Sequence, residues 1–217
     1  MRRALEIGGM LAAVVLIGFG VGAIVMGAEG RSTVHNSLAE QKIVGTPDMT
    51  PTAIKAEAAK SGLDVNSLSL PTCTVAGKAI ESGSEARCFA QYMTIHALEA
   101  TGGLYYSQMP RYASADGKGT DVESQALKTP KGTPVSNPAR EVWVQETALA
   151  GALNSSYMAT QVGLFGIVVG VALLLSGLGF AILSIAGALR NPESLVHSVR
   201  VRREHHGGGA TPAATGV

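Results

Sequence analysis

The most informative absence in this chain of 217 residues is that of charge from two long stretches. Ile7 to Met26 and Val162 to Leu189 contain no ionisable side chain. A helix needs about 20 apolar residues to cross the hydrocarbon core of a bilayer, and both stretches reach that length. They predict two transmembrane helices, and the missing charge argues against a proton relay or a charged ion path within them.

The chain also lacks a marked excess of either charge. Its formal net charge is +1, and residues 28–161 hold 11 Lys or Arg against 13 Asp or Glu. A nucleic-acid-binding surface needs clustered positive charge. The composition therefore predicts no nucleic-acid partner for the segment between the two apolar stretches.

Cysteine is scarce and occurs in only one part of the chain. Cys73 and Cys88 are the only two in the chain, and both lie between the apolar stretches. Thiols confined to an oxidising compartment are expected to pair. We expect a structural disulfide, and the spacing does not match the Cys-x-x-Cys pattern of redox-active pairs.

Arginine flanks each apolar stretch on the side nearer the chain terminus. The flanking residues are Arg2, Arg3, Arg190, Arg200, Arg202 and Arg203. Because Lys- and Arg-rich flanks stay in the cytoplasm, both termini are predicted to be cytoplasmic and residues 28–161 extracytoplasmic. A cleaved signal peptide is the alternative for the first stretch, but the apolar regions of signal peptides run only about 7–15 residues.

These patterns predict a mainly α fold: a two-span transmembrane helical hairpin with long extracytoplasmic helical stalks and a small disulfide-tied helical head. The expected segments are a cytoplasmic N-terminus (1–6), a first span (7–27), a stalk helix (28–44), the head (45–136), a second stalk helix (137–161), a second span (162–189) and a basic, then disordered, cytoplasmic tail (190–217).

Local signals place the helices of the outer segment. An apolar stripe carries the first stalk towards Ile43, and a seam of Trp143, Ala150, Leu153 and Tyr157 on the second stalk is expected to face Val34 and Leu38. Thr50-Pro51, Glu85 and Asn137-Pro138 mark further helix starts, and a capping-box spacing allows a short helix at Thr120–Glu123.

Two sets of residues are candidate contact sites. Small residues at four-residue spacing permit close helix approach, which predicts helix packing at Gly18, Gly22, Gly166 and Gly170. Tyr, Met and Arg are enriched at protein interfaces, which makes the loop 104–112 a possible interface through Tyr105, Tyr106, Met109, Arg111 and Tyr112. The alternative for this loop is a compact cover over the small core.

Metal and cofactor sites are not predicted. Only two histidines, His35 and His96, share the outer segment, and no His-x-x-x-His or His-x-Glu motif accompanies them. A catalytic metal needs about three converging protein ligands. His96, beside Phe89 and Met93 on one helix face, is expected to be a packed, hydrogen-bonded core residue.

The stretch 139–180 (AREVWVQETALAGALNSSYMATQVGLFGIVVGVALLLSGLGF), together with the head helix and loop over 87–112, resembles a family of two-pass membrane proteins of high-GC Gram-positive (actinobacterial) bacteria. The family has no established function. The resemblance implies a bacterial plasma membrane. Some members carry an automatic label of aromatic ring-opening dioxygenase, which we reject here because the His and carboxylate ligands of such an iron site are missing.

The expected function is that of a non-enzymatic accessory or scaffolding component of a cell-envelope membrane complex, in contact with the lipid bilayer and with a membrane-protein partner or a second copy of itself. A homo-oligomeric pore or transport component and an extracytoplasmic ligand sensor are the alternatives.

Overall fold

The computed structural model describes residues 2–186, with side chains from Leu5 onward, and its regular structure is helical. Four α-helices occur in this range: α1 (Arg2–Glu40), α2 (Pro51–Lys60), α3 (Gly83–Ala100) and α4 (Pro138–Ile185). Residues 2–186 contain isolated β-bridges but no strand. The predicted tail (190–217) lies outside the described residues.

Two compact units make up the chain, and α1 and α4 contribute to both. The first unit contains residues up to Gly27 together with those from Phe165 onward, and the second contains Ala28–Leu164. In the first unit the helices are long and apolar enough to cross a membrane, and only 11% of the most apolar stretch of each is buried. A core helix of a soluble protein would bury most of such a stretch.

The second unit is organised around α3, which places nine buried residues on the core. Tyr92 and Leu98 of α3 are fully buried with Ile54 of α2 and Met49 before it. Leu38, Trp143, Ala150 and Leu153 belong to the same buried cluster, with Val34 packed against it. The turns of α1 and α4 that belong to the second unit thus share one core with the segment predicted to be a separate head.

Caps at the helix starts agree with the sequence signals. Thr50 caps α2 by accepting a hydrogen bond from Ala53 N (3.2 Å), and the Asn137 Oδ1 atom accepts one from Ala139 N (3.1 Å) at the start of α4. At α3, Ser82 and Glu85 form a reciprocal capping box. Burial alone would raise the pKa of Glu85, but hydrogen bonds from Ser82 and from the backbone of Glu81 and Ser82 outweigh it and lower the pKa below its usual value.

The disulfide between Cys73 and Cys88 is formed and ties the segment before α3 to its second turn. The Tyr92 hydroxyl, one turn further along, donates a hydrogen bond of 2.6 Å to the Cys73 carbonyl. The predicted pairing is confirmed, and Tyr92 adds a second attachment of the same segment.

One predicted helix boundary is wrong. α1 ends at Glu40, before Ile43, and Lys42 just beyond it adopts a positive φ of 52°, which an α-helix cannot continue through. Where the capping-box spacing allows a short helix at Thr120–Glu123, the structure has a 3-10 helix at Glu123–Gln125. There the Thr120 hydroxyl accepts from Val122 N at 3.1 Å, which forms a local turn and does not cap a helix.

Candidate functional site

The predicted interface loop folds back against the start of α4. The Trp143 indole N–H donates to the Leu104 carbonyl at 2.8 Å, and the Tyr105 ring lies 5.2 Å from the Trp143 ring. The guanidinium of Arg140 sits 4.0 Å above the Tyr106 ring. These contacts place the loop as a cover over the core, which was the alternative reading of the sequence.

Part of the loop nevertheless remains exposed. Tyr105 is 47% exposed and Tyr106 is 45% exposed, with Leu104 beside them. Arg111 is also exposed. Because cation–π and ring contacts hold the two tyrosines in place, their exposed edges form an ordered aromatic surface, a kind of surface common at protein interfaces.

Met109 does not belong to that surface. It is 5% exposed and packs in the core cluster, so its assignment as an interface residue is wrong. Tyr112 is half-buried, and its backbone pairs with Thr120 in both directions (3.0 and 2.9 Å). An apolar side chain in a mixed loop of a small domain gains more from burial than from exposure, which accounts for the inward position of Met109.

Within the first unit, a line of glycines lets α1 and α4 approach backbone to backbone. A Cβ atom added at Gly20 would lie 2.7 Å from the Gly170 carbonyl oxygen, and one added at Gly177 would lie 3.0 Å from the Ala13 carbonyl oxygen. A Cβ at Gly166 would meet Ala23 at an ordinary 3.6 Å. Residue numbers rise along α1 as they fall along α4, so the two helices are antiparallel there.

Gly18 and Gly22 lie on another face of α1. A Cβ atom added at either would meet no described atom within 4 Å. Both line an open apolar groove with Val14, Val15 and Phe19. Gly18 and Gly22 therefore do not form the contact between α1 and α4, because a four-residue spacing defines a helix face but does not say which neighbour covers it. Packing of this face on a partner stays a prediction. Gly20 and Gly177, which the spacing rule missed, make the contact together with Gly170.

A cluster of polar side chains lies where α2 approaches α3. The His96 Nε2 atom is 2.6 Å from the Asp48 Oδ2 atom, and both side chains are about one-quarter exposed. Glu57, on the exposed side of α2, completes a set of three potential metal ligands whose donor atoms lie within 4.8 Å of one another. The hydrogen bond of His96 agrees with the sequence expectation, but the neighbouring carboxylates were missed.

Glu99 adds a third carboxylate to this neighbourhood. One of its oxygens, Oε1, is buried and has no hydrogen-bond partner among the described residues. Burial raises the pKa of Glu99, and the negative charges of Glu57 and Asp48 raise it further, whereas His96 lowers it. At Asp48, burial also acts to raise the pKa, but hydrogen bonds from Thr46, its own backbone and His96 lower it overall.

One sequence signal could have indicated this cluster. His96 and Glu99 are three residues apart on α3 and so share a helix face. Asp48 and Glu57 come from outside α3, and only the packing of α2 on α3 brings them close. The other outer histidine, His35, lies apart from this set in its contacts, since its Nδ1 atom is 2.8 Å from the Glu81 carbonyl oxygen.

Comparison of the chain with protein-family models, with curated proteins and with solved structures finds no significant match.

Proposed function

We propose that this chain is a two-pass membrane protein that acts as a non-enzymatic accessory or scaffolding component of a cell-envelope membrane complex. The observation that carries the proposal is that two faces of α1 have different neighbours. Gly20 packs against α4, while Gly18 and Gly22 present a second small-residue face that the described chain leaves uncovered. Close packing of small residues is a main source of helix association in lipid, so this face suits a further transmembrane helix.

The exposed aromatic edge of Tyr105 and Tyr106 supports the same proposal outside the membrane. It would give a partner a second contact, on the unit that holds the disulfide. A partner that contacts both regions binds more tightly than one that contacts a single region, because the second contact forms within the same complex.

Copurification tests the proposal. The full chain is isolated from its native host in mild detergent, and copurifying chains are quantified by mass spectrometry. We expect a stoichiometric partner that is retained by Gly8→Leu, since Gly8 also has open space around it, and that is depleted at least about tenfold by Gly18→Leu combined with Gly22→Leu. The total mass of the purified complex, compared with the mass of this chain, distinguishes a hetero-complex from a homo-oligomer.

Three results would contradict this function. The first is that the purified protein is monomeric and carries no partner. The second is that the partner remains fully bound to the variant with Gly18→Leu and Gly22→Leu. A large homo-oligomer that the double variant dissociates would favour the pore or transport component in place of the accessory protein.

We further propose that the protein spans a bacterial plasma membrane with both termini cytoplasmic and residues 28–161 outside. The arginine clusters beside the two apolar stretches support this orientation. The formed Cys73–Cys88 disulfide also supports it, because disulfides persist in oxidising compartments. The resemblance to actinobacterial two-pass proteins agrees with that location.

Reporter fusions check the orientation. An alkaline phosphatase fused after Val217 should be inactive, because the enzyme needs the oxidising exterior to fold. A fluorescent protein that matures only in the cytoplasm should be bright at the same position. As the matched control, phosphatase inserted in the exposed turn at Gly117 should be active. Active phosphatase after Val217 would overturn the proposed orientation.

A further inference from the structure

The cluster of Asp48, Glu57, His96 and Glu99 combines an imidazole with three carboxylates. No Lys or Arg among residues 5–186 lies within 4.0 Å of these carboxylates, and the Asp48 carboxylate contacts only His96 in an ion pair. Carboxylates gathered without a counter-charge cost free energy. A bound cation would remove that cost.

The donor atoms are already close to the spacing that a metal ion requires. In tetrahedral zinc sites with bonds of about 2.0–2.2 Å, neighbouring donors lie about 3.3 Å apart. Here one donor each from Asp48, Glu57 and His96 lies within 4.8 Å of the other two. The Asp48 and His96 donors are 2.6 Å apart and would have to separate to reach that spacing, while the exposed Glu57 side chain is free of tight packing and can turn towards them.

Glu99 provides a second observation that points to a ligand. Its Oε1 atom is buried and unpaired among the described residues, and buried carboxylate oxygens normally have a partner. Glu99 lies three residues after His96 and shares its face of α3.

We propose that Asp48, Glu57 and His96 form a binding site for a divalent transition-metal ion. Zn²⁺ is the expected ion, and Glu99 lies close in sequence to His96. Imidazole together with carboxylate favours Zn²⁺ over Ca²⁺ and Mg²⁺, which prefer oxygen ligands alone. The ligands come from the segment before α2, from α2 and from α3, so the ion would join α2 to α3. This inference does not depend on the membrane function proposed above.

Zinc binding by the full chain in detergent tests the site. The protein carries no histidine tag, and the tail histidines His197, His205 and His206 are replaced by Gln so that they bind no metal. Zn²⁺ is titrated in competition with a chromogenic chelator, and the melting temperature is recorded with and without Zn²⁺. We expect one Zn²⁺ per chain and a higher melting temperature with the metal.

Glu57→Gln is the decisive variant because Glu57 is exposed and its loss should not unfold the protein. We expect Glu57→Gln and His96→Gln each to weaken Zn²⁺ binding at least about tenfold, since even outer-shell partners of metal ligands are worth 10–100-fold in affinity. Glu40→Gln and His35→Gln are the matched controls and should bind Zn²⁺ as the parent does. An intact Cys73–Cys88 disulfide and an unchanged melting temperature without metal confirm folding.

Any of three outcomes would overturn the proposal. They are failure of the parent to bind Zn²⁺, binding by Glu57→Gln with the affinity of the parent, and an equal loss in the His35→Gln control. Ca²⁺ binding as tight as that of Zn²⁺ would also overturn it, because the imidazole would then contribute nothing.

Discussion

Replacing Gly20 by leucine should destabilise the packed pair of α1 and α4 by about 1–3 kcal/mol, the range found when a closely packed contact is overfilled. A Cβ atom at this position would lie 2.7 Å from the Gly170 carbonyl oxygen and 2.8 Å from the Leu174 backbone nitrogen. Backbone atoms cannot move aside as a flexible side chain does, so the helices must separate. The midpoint of SDS-induced unfolding in mixed micelles measures the loss.

Gly18→Leu is the matched control, because it makes the same chemical change two residues away on the same helix. A Cβ atom there meets no described atom within 4 Å. We expect its unfolding midpoint to change by no more than about 0.5 kcal/mol in the isolated protein. Equal losses in the two variants would show that Gly20 does not form the helix contact. Measurements on the isolated chain also separate this effect from any loss of a partner at Gly18.

Removing the disulfide should have an effect of similar size on the second unit. Substituting both Cys73 and Cys88 by alanine should lower the free energy of unfolding by about 3 kcal/mol, the value expected for a closed loop of some 15 residues. The effect arises because the crosslink restricts the unfolded chain. Thermal unfolding of the full protein, followed by the fluorescence of the buried Trp143, provides the measurement.

Reducing agent supplies the control for this prediction. It should lower the melting temperature of the parent to that of the double alanine variant and leave the variant itself unchanged. A parent that is insensitive to reduction while its thiols become reactive would contradict a stabilising role for the bond. Retention of the Tyr92 hydrogen bond to Cys73 would then account for most of the local order.

Signals that act over a few residues agree with the structure. The starts of α2 and α4 follow from Thr50-Pro51 and Asn137-Pro138, since a side-chain cap and a proline in the first turn act within a few residues. The disulfide followed from there being only two cysteines. The aromatic loop was harder, because its composition suited both an interface and a cover, and its residues divide between these roles.

Local signals by themselves determined the helical class, the two uncharged helical stretches and the caps, because each depends on periodicity, length or a residue a few positions away. Tertiary structure alone decided which glycines touch and which acids surround His96. The contact at Gly20 depends on how α4 lies against α1, and the Asp48–Glu57–His96 set depends on how α2 packs on α3. Spacing along one helix defines a face, but only the neighbouring element determines what that face meets.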